Sequence, residues 1–586
     1  MCEDDNTEME GDQAIGPWPR QLSLISGAGP ITPLPVSRSG AGQANVPAVY
    51  HHATQEINSA IDKMHAESAF AHLALAPPVR SQLDAYVDTY FRIFDKFVPF
   101  IHVPTFDRQT CQPALLLAVS AVGAYFTPEI AGSREASLTL ADLARRTCHY
   151  QVEAKNNSNH ELWFNQVFLL LLILAPACGD RAAFEMAMCV RGIPHANGRR
   201  DGWDRGMDET IGSAHRSVEE QWARWIQEEQ RTRMAWAVVM TDVYDSVLWS
   251  VEPSVIVTEV IRCPVPNLAV LWEAPTAQAW HALLVSGQEP VRATLEPYLP
   301  KMAADPMTPI PELADVLSET CGRMLLISAL HLLAWRRRHW IDVERLALGG
   351  DASQQPTDAL SARLDNAFEY VERHVLPCQD SSHILVDQRA SDMGTDMHIA
   401  LLWNLVCLVN HLPVSTMQQF ASGEFDAVRL SIQDWANAKN GQNARLSLYH
   451  ATQLLTLCHE ADESNRKDLL VPFAVLYGTL AVVIYIRYIA RYITHSRRAV
   501  GRAPAYEVHL TKLNSRLRPN YVDWIEGKAF EGALSVLGFG DISQPTACND
   551  GLEASARILQ SLPCGRYGFQ FSLMLRELGA SFSERV

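Results

Sequence analysis

Residues 469–486 read LLVPFAVLYGTLAVVIYI, eighteen positions without a charge. A helix that is apolar on every side cannot face water, so it must be either the centre of a folded body or a membrane span. Eighteen residues stand at the lower edge for spanning. Arg466 and Lys467 precede the run, and Arg487 and Arg491 follow it. A central helix of a large soluble body gives the same pattern, and burial is the expectation here. A second apolar run, residues 167–179 (VFLLLLILAPACG), is too short to span comfortably. Both runs call for a thick surround of other elements.

That surround reads as helix. Tyr86, Tyr90, Phe91, Phe94 and Phe97 draw an aromatic stripe at helical spacing, and Pro99 stops it. Further helices are predicted over 114–126, 136–155, 161–175 and 217–249, the last carrying Trp222, Trp225, Trp236 and Trp249. A Gly-, Arg- and Asp-rich loop is expected at 191–213, and Pro253, Pro264, Pro266 and Pro275 break the chain beyond 249. Helix returns at 310–346 and again at 358–375, 396–411, 426–438, 444–460, 469–494 and 553–579. Strand-like alternation is almost absent. The expected fold is all-α, a large multi-helix domain with a flexible N-terminal tail.

Residues 1–50 are that tail, acidic at first and then scattered with Pro, Gly and Ser, a composition that buries too little to order itself. One helix is expected within 52–75, ended by Pro77 and Pro78. The helical body divides into residues 80–345 and 358–586, with 351–357 (DASQQPT) as a linker and the second region packed on the first.

The opening MCEDDNTEMEGD holds six acids and no base, which argues against a secretory or transit segment. The whole chain carries a formal charge of −17. Phosphate would be repelled, so direct DNA binding by the body is disfavoured. The twelve cysteines are scattered, and no two stand within four positions of each other. A structural zinc module draws on close pairs, so no finger or cluster is expected, and no metal or cofactor is assigned.

Signatures of catalysis are missing as well. There is no GxxxxGK[ST] loop, no GxSxG elbow and no HExxH helix. Gly538-Phe539-Gly540-Asp541 resembles a dinucleotide loop only faintly, lacking a third glycine and a preceding strand. His51–His52, His383 with His398, and His459–Glu460 are read as surface or capping groups rather than ligands. The basic runs Arg336-Arg337-Arg338-His339 and Arg487, Arg491, Arg497, Arg498, Arg502 are read first as solvated helix faces, and second as import or nucleic-acid patches. The chain is not expected to be an enzyme.

The segment YVDTYFRIFDKFVPFIHVPTF (86–106), followed by PALLLAVSAVGAYF (113–126), resembles the start of the fungal-specific transcription factor domain, the middle region of fungal zinc-cluster and zinc-finger regulators. Its loop motif is matched by Pro99, Phe100, Ile101, His102, Pro104 and Phe106, and the glycine of its next helix by Gly123. LWFNQVFLLLLILAPACGD (162–180) resembles its leucine-rich helix. EEQRTRMAWAVVMTD (228–242) supplies Glu229, Arg231, Arg233, Trp236 and Asp242 at the positions of its Glu/Arg/Trp/Asp helix.

The resemblance covers about 80–345 and departs in one respect: the region before residue 80 holds a single cysteine, Cys2, so the family's zinc ligands carry over to no residue. The resemblance implies a nuclear regulator of a metabolic or biosynthetic gene group. Its partners would be other transcription regulators or a second copy, DNA contact would be indirect or through a missing zinc module, and a small-molecule effector would suit the helical domain. Membrane partners are not expected. The alternative is a non-enzymatic helical scaffold or membrane-associated protein that has lost the regulatory role. The motif residues themselves are expected to determine the fold, with Arg and Asp satisfying buried polar groups and Trp filling core.

Overall fold

The computed structural model describes residues 80–154, 161–202, 217–288, 290, 292–347, 358–376, 393–490, 508–510, 519–527, 534–563 and 566–583. The tail, the helix expected at 52–75 and the linker at 351–357 lie outside the described residues, as do His51, His52, His383, Arg491, Arg497, Arg498 and Arg502.

Helix α1 (Arg80–Thr89) runs into a π turn, Tyr90–Phe94, and is followed by α2 (Pro113–Tyr125), α3 (Ser133–Ala154), α4 (Leu162–Cys178), α5 (Arg181–Val190) and α6 (Gly192–Asp201). Then come the long α7 (Val218–Trp249), α8 (Ala277–Val285) and α9 (Thr320–Ala347). Short helical turns at Val257–Arg262, Ala269–Trp272, Leu299–Ala304 and Leu313–Leu317 occupy the proline-rich stretch around α8. Beyond lie α10 (Asp358–His374), α11 (Met393–His411), α12 (Val414–Ala421), α13 (Phe425–Asn437), α14 (Gln442–Glu460), α15 (Val471–Tyr485), α16 (Ala547–Gln560) and α17 (Arg566–Ser583). The fold is all-α.

Local chemistry sets the ends of α7. Ser217 accepts from the Glu220 amide while Glu220 reaches back to the Ser217 amide, a reciprocal capping box. The helix stops at Ser250, whose φ of 59° is left-handed. Gly179, at φ 62°, ends α4, and the Asp180 carboxylate then caps α5 by accepting from the Ala183 amide at 2.9 Å.

The apolar run at 469–486 becomes α15 and the start of a π turn, and every α15 residue is buried. The helix Val471–Ile489 is long and apolar enough to cross a membrane, yet 83% of its apolar window is covered by the rest of the chain. It packs on α14 and α16. Gly478 lets α14 approach, since a Cβ there would lie 3.1 Å from the Ala451 carbonyl oxygen. One connected hydrophobic core runs from Tyr86 to Phe582. Within it α9 packs against α7 on one side and α11 on the other.

Three details differ from the sequence reading. The stretch expected as a loop holds α6, because Arg199 bonds Glu259 at 2.6 Å and the Ser254 carbonyl at 2.6 Å. Those tertiary bonds outweigh the weak helix preference of GIPHANGRRD. The helix expected over 553–579 is two antiparallel helices, α16 and α17, parted near Pro563. Three short strands also form, β1 (Val508–Leu510) parallel to β2 (Leu534–Val536), which is antiparallel to β3 (Gly540–Asp541). The faint dinucleotide string is the β2–β3 turn, with Gly538 at φ 80° and Phe539 buried against Gly551 of α16.

Candidate functional site

The loop after the aromatic helix and the middle of α7 meet in a buried polar cluster. Arg233 Nε donates to Glu229 Oε1 at 2.8 Å one turn away. Its other nitrogens donate to the Pro99 carbonyl at 3.2 Å and the Asn267 carbonyl at 2.8 Å. The guanidinium also lies 4.3 Å from the centre of the Trp272 ring. Glu229 in turn accepts from the Asn267 backbone amide at 2.8 Å and its side-chain amide at 2.7 Å. Both charges are thus buried, paired and hydrogen-bonded, the condition under which a buried ion pair is tolerated.

His102 joins the same cluster. Its Nε2 faces the Trp272 carbonyl at 2.9 Å, which can only accept, so Nε2 carries the proton. Nδ1 therefore accepts from the Thr105 hydroxyl at 2.8 Å. Burial depresses the imidazole to about 4, and nearby Arg233 adds to the depression against the Trp272 bond. His102 is neutral at physiological pH. Asp95 lies close by, and burial raises its carboxyl to about 8 despite Arg233. Gln166 of α4 donates to the Phe100 carbonyl at 3.3 Å, fastening the loop from beneath.

Other motif positions have distinct surroundings. Trp236 is fully buried and donates from Nε1 to the Cys321 carbonyl at 3.1 Å. Phe106 is half-buried, 5.0 Å from the Phe91 ring. Gly123 is where α2 meets α1, and a Cβ there would stand 1.8 Å from the Tyr86 carbonyl oxygen. Pro104 and Arg231 are exposed, outside the cluster. Glu228 points away from Glu229, bonding Arg224 at 3.0 Å and Arg292 at 3.2 Å.

Asp242 anchors a second cluster two turns along α7. It accepts from the Val255 amide at 2.9 Å and from Arg191, with His195 Nε2 at 3.3 Å. These partners hold its carboxyl below the usual carboxylate range against the opposing effect of burial. Asp245, paired with Arg191 at 3.1 Å, is raised to about 7 by burial.

Sequence reasoning missed the third cluster. His398, read as a surface or capping group, is buried between Tyr244 and Asp468. Its Nε2 meets the Tyr244 hydroxyl at 2.6 Å and its Nδ1 meets Asp468 at 2.7 Å. The bond to α7 spans 154 positions and the bond to Asp468 spans 70, so no local pattern could reveal them. Asp468 also accepts from the Leu470 amide just before α15. His459 and Glu460 are exposed at the end of α14.

In the basic run on α9 the three arginines are half-buried rather than freely solvated, and His339 is exposed. Arg336 donates to the Pro253 carbonyl at 3.3 Å, Arg338 to the Val409 carbonyl at 2.5 Å, and His339 stacks on Trp335 at 4.3 Å. Arg487 lies 3.8 Å over the Phe582 ring. An apolar pocket lined by Trp249, Gln418, Leu476, Tyr477, Phe571 and Met574 holds a cavity of about 10 Å³. That is the room of about one water molecule, far below the ~300–1,000 Å³ of an ordinary small-molecule site.

Every one of these clusters ties elements together, and none presents a nucleophile with a base and an open space for substrate. Comparison with known proteins agrees with the motif pattern. Residues 87–330 match the fungal specific transcription factor domain. The nicotinate catabolism cluster-specific transcription factor of Emericella nidulans is 30% identical over 210 residues, 34% of this chain and 23% of that protein. A transcription factor of Zymoseptoria tritici is 27% identical over 225 residues (36% and 22%), and transcription factor 1 of Elsinoe fawcettii 27% over 231 residues (36% and 23%). The matched region is thus less than a quarter of each of these relatives. No solved structure matches.

Proposed function

We propose, from a chain whose residues 87–330 match the fungal specific transcription factor domain, that this protein is a nuclear regulator of transcription. The family match is the observation that carries the reading. The Emericella relative is named for a catabolic gene cluster, and this chain would serve a comparable metabolic or biosynthetic gene group.

The chain's part in that work is regulatory. Residues 80–345 and 358–586 act as one helical unit, and Glu229, Arg233, Trp236, Asp242, His102 and Gly123 keep the first region in shape. A net charge of −17 repels phosphate. DNA is therefore reached through a partner regulator, a second copy carrying a DNA-reading module, or a zinc module outside the sequence described. An effector, if one acts, binds where the helices can part rather than in the small pocket beside Tyr477.

Chromatin occupancy of a tagged copy in its native host tests this. Discrete promoter peaks clustered over one gene group are the expected result. Uniform background from an abundant protein would sink the reading and leave a non-enzymatic helical scaffold in its place.

A further inference from the structure

Close cysteine pairs are one way to build a metal site, but three helices can bring distant residues together. Glu372 on α10, Cys407 on α11 and His450 on α14 each turn one ligand atom into the same space, all within 4.8 Å of one another. Cys407 and His450 are buried, at 2% and 1% exposure, while Glu372 is half-buried and opens the site toward solvent.

The imidazole is already oriented. Asn404 Nδ2 donates to the Ala400 carbonyl at 2.8 Å, which fixes the amide so that its Oδ1 accepts. That oxygen lies 2.9 Å from His450 Nδ1. Nδ1 must therefore carry the proton, and the lone pair sits on Nε2. A metal-binding histidine is held this way by an outer hydrogen bond that sets both tautomer and ring direction. The holding residue, Asn404, stands on the same helix as the thiol, one turn before Cys407.

We propose that Glu372, Cys407 and His450 bind one zinc ion, with water as the fourth ligand on the Glu372 side. Thiolate, imidazole and carboxylate together suit zinc better than magnesium or calcium, which favour all-oxygen sites. Charge favours it too. A dication balanced by one carboxylate and one thiolate leaves the core neutral, and binding releases the Cys407 proton to solvent. Tetrahedral zinc bonds of ~2.0–2.3 Å place ligands about 3.5 Å apart, so the three groups close by roughly an ångström from the limit seen here. The ion would clamp α10, α11 and α14 in the region beyond the family match.

The test uses the full chain, expressed in zinc-supplemented medium and purified without chelator or metal-affinity resin. Elemental analysis should find one zinc per chain. Cobalt(II) exchanged into the protein should give a near-ultraviolet thiolate-to-metal band together with the visible bands of a tetrahedral ion. Both signals should vanish in Cys407→Ala and persist in Cys458→Ala, whose thiol is buried on α14 outside the trio. Asn404→Ala should weaken affinity about 10–100-fold in competition with a chelator. Glu372→Gln, at the half-buried position, should weaken zinc binding at least tenfold while keeping wild-type helicity. That variant decides the matter if Cys407→Ala fails to fold. A chain that binds neither metal, or a Cys407→Ala or Glu372→Gln variant that binds as the parent does, overturns the proposal.

Discussion

Glu229 and Arg233 stand one turn apart on α7 and meet at 2.8 Å, with only 2% and 3% of their side chains exposed. Their remaining hydrogen bonds reach the 99 loop and Asn267, so one ion pair gathers three segments distant in sequence. Arg233→Ala should destabilise the protein by about 3–5 kcal/mol, because it strands a buried carboxylate. Urea unfolding measures it. Adding Glu229→Gln should recover part of the loss, and a double variant whose loss equals the sum of the two single losses would show that the pair is not coupled.

Gly123 and Gly579 make a matched test of close approach. Gly123→Ala would drive a Cβ to 1.8 Å from the Tyr86 carbonyl, so α1 and α2 must separate, at about 1–3 kcal/mol or more. Gly579→Ala in α17 meets nothing nearer than 3.6 Å and should stabilise by roughly 0.5–1 kcal/mol. Thermal melts of the two variants should move in opposite directions.

The neutral histidines predict an acid limb. His102 and His331 are pushed down to about 4 and about 3 by burial. Each takes up a proton more readily in the unfolded chain, where its value is about 6.5. Stability should therefore fall as pH drops from about 6.5 toward 4. His102→Gln should flatten that fall relative to the parent in denaturant titrations run across the range.

Asp95 predicts the opposite slope. Burial raises its carboxyl from the ordinary 3.8 to about 8. The protonated form belongs to the folded state, so its contribution is full below about 4 and is lost as pH rises through about 8. Asp95→Asn should gain on the parent steadily over that interval. A constant difference between the two proteins would mean that Asp95 does not titrate as a buried acid.

Tyr244→Phe and His398→Ala should each cost about 1–3 kcal/mol, since each leaves a buried polar partner unmet. Their effects should fall short of additive, because both break the Tyr244–His398 contact at 2.6 Å. Denaturant unfolding of the two single variants and the double variant measures the coupling.

Much of the helical plan was legible because its signals are local. Tryptophans mark the length of α7, the aromatic stripe marks the first helix, and the uncharged run marks α15 as central. The missed features depend on contacts that sequence spacing does not carry. Helix α6 needs Glu259 across space to outweigh its glycines and proline. The β strands hold two or three residues each, too few for alternation to register. His102 was legible as part of a motif, but its partner lies 170 positions away. His398 had no motif around it at all.

The family match ends at residue 330, part-way along α9, while that helix continues to Ala347 and packs against both α7 and α11. A boundary drawn from sequence kinship thus falls inside a rigid rod. A chimera spliced there would pair Leu325, Leu326 and Leu330, each fully covered in the intact chain, with a foreign Met393–His411 helix on a face packed by this chain's own. Shuffling such chains, by recombination in nature or by cloning, should therefore yield folded hybrids only when the exchange carries the whole helical body as a single heritable piece.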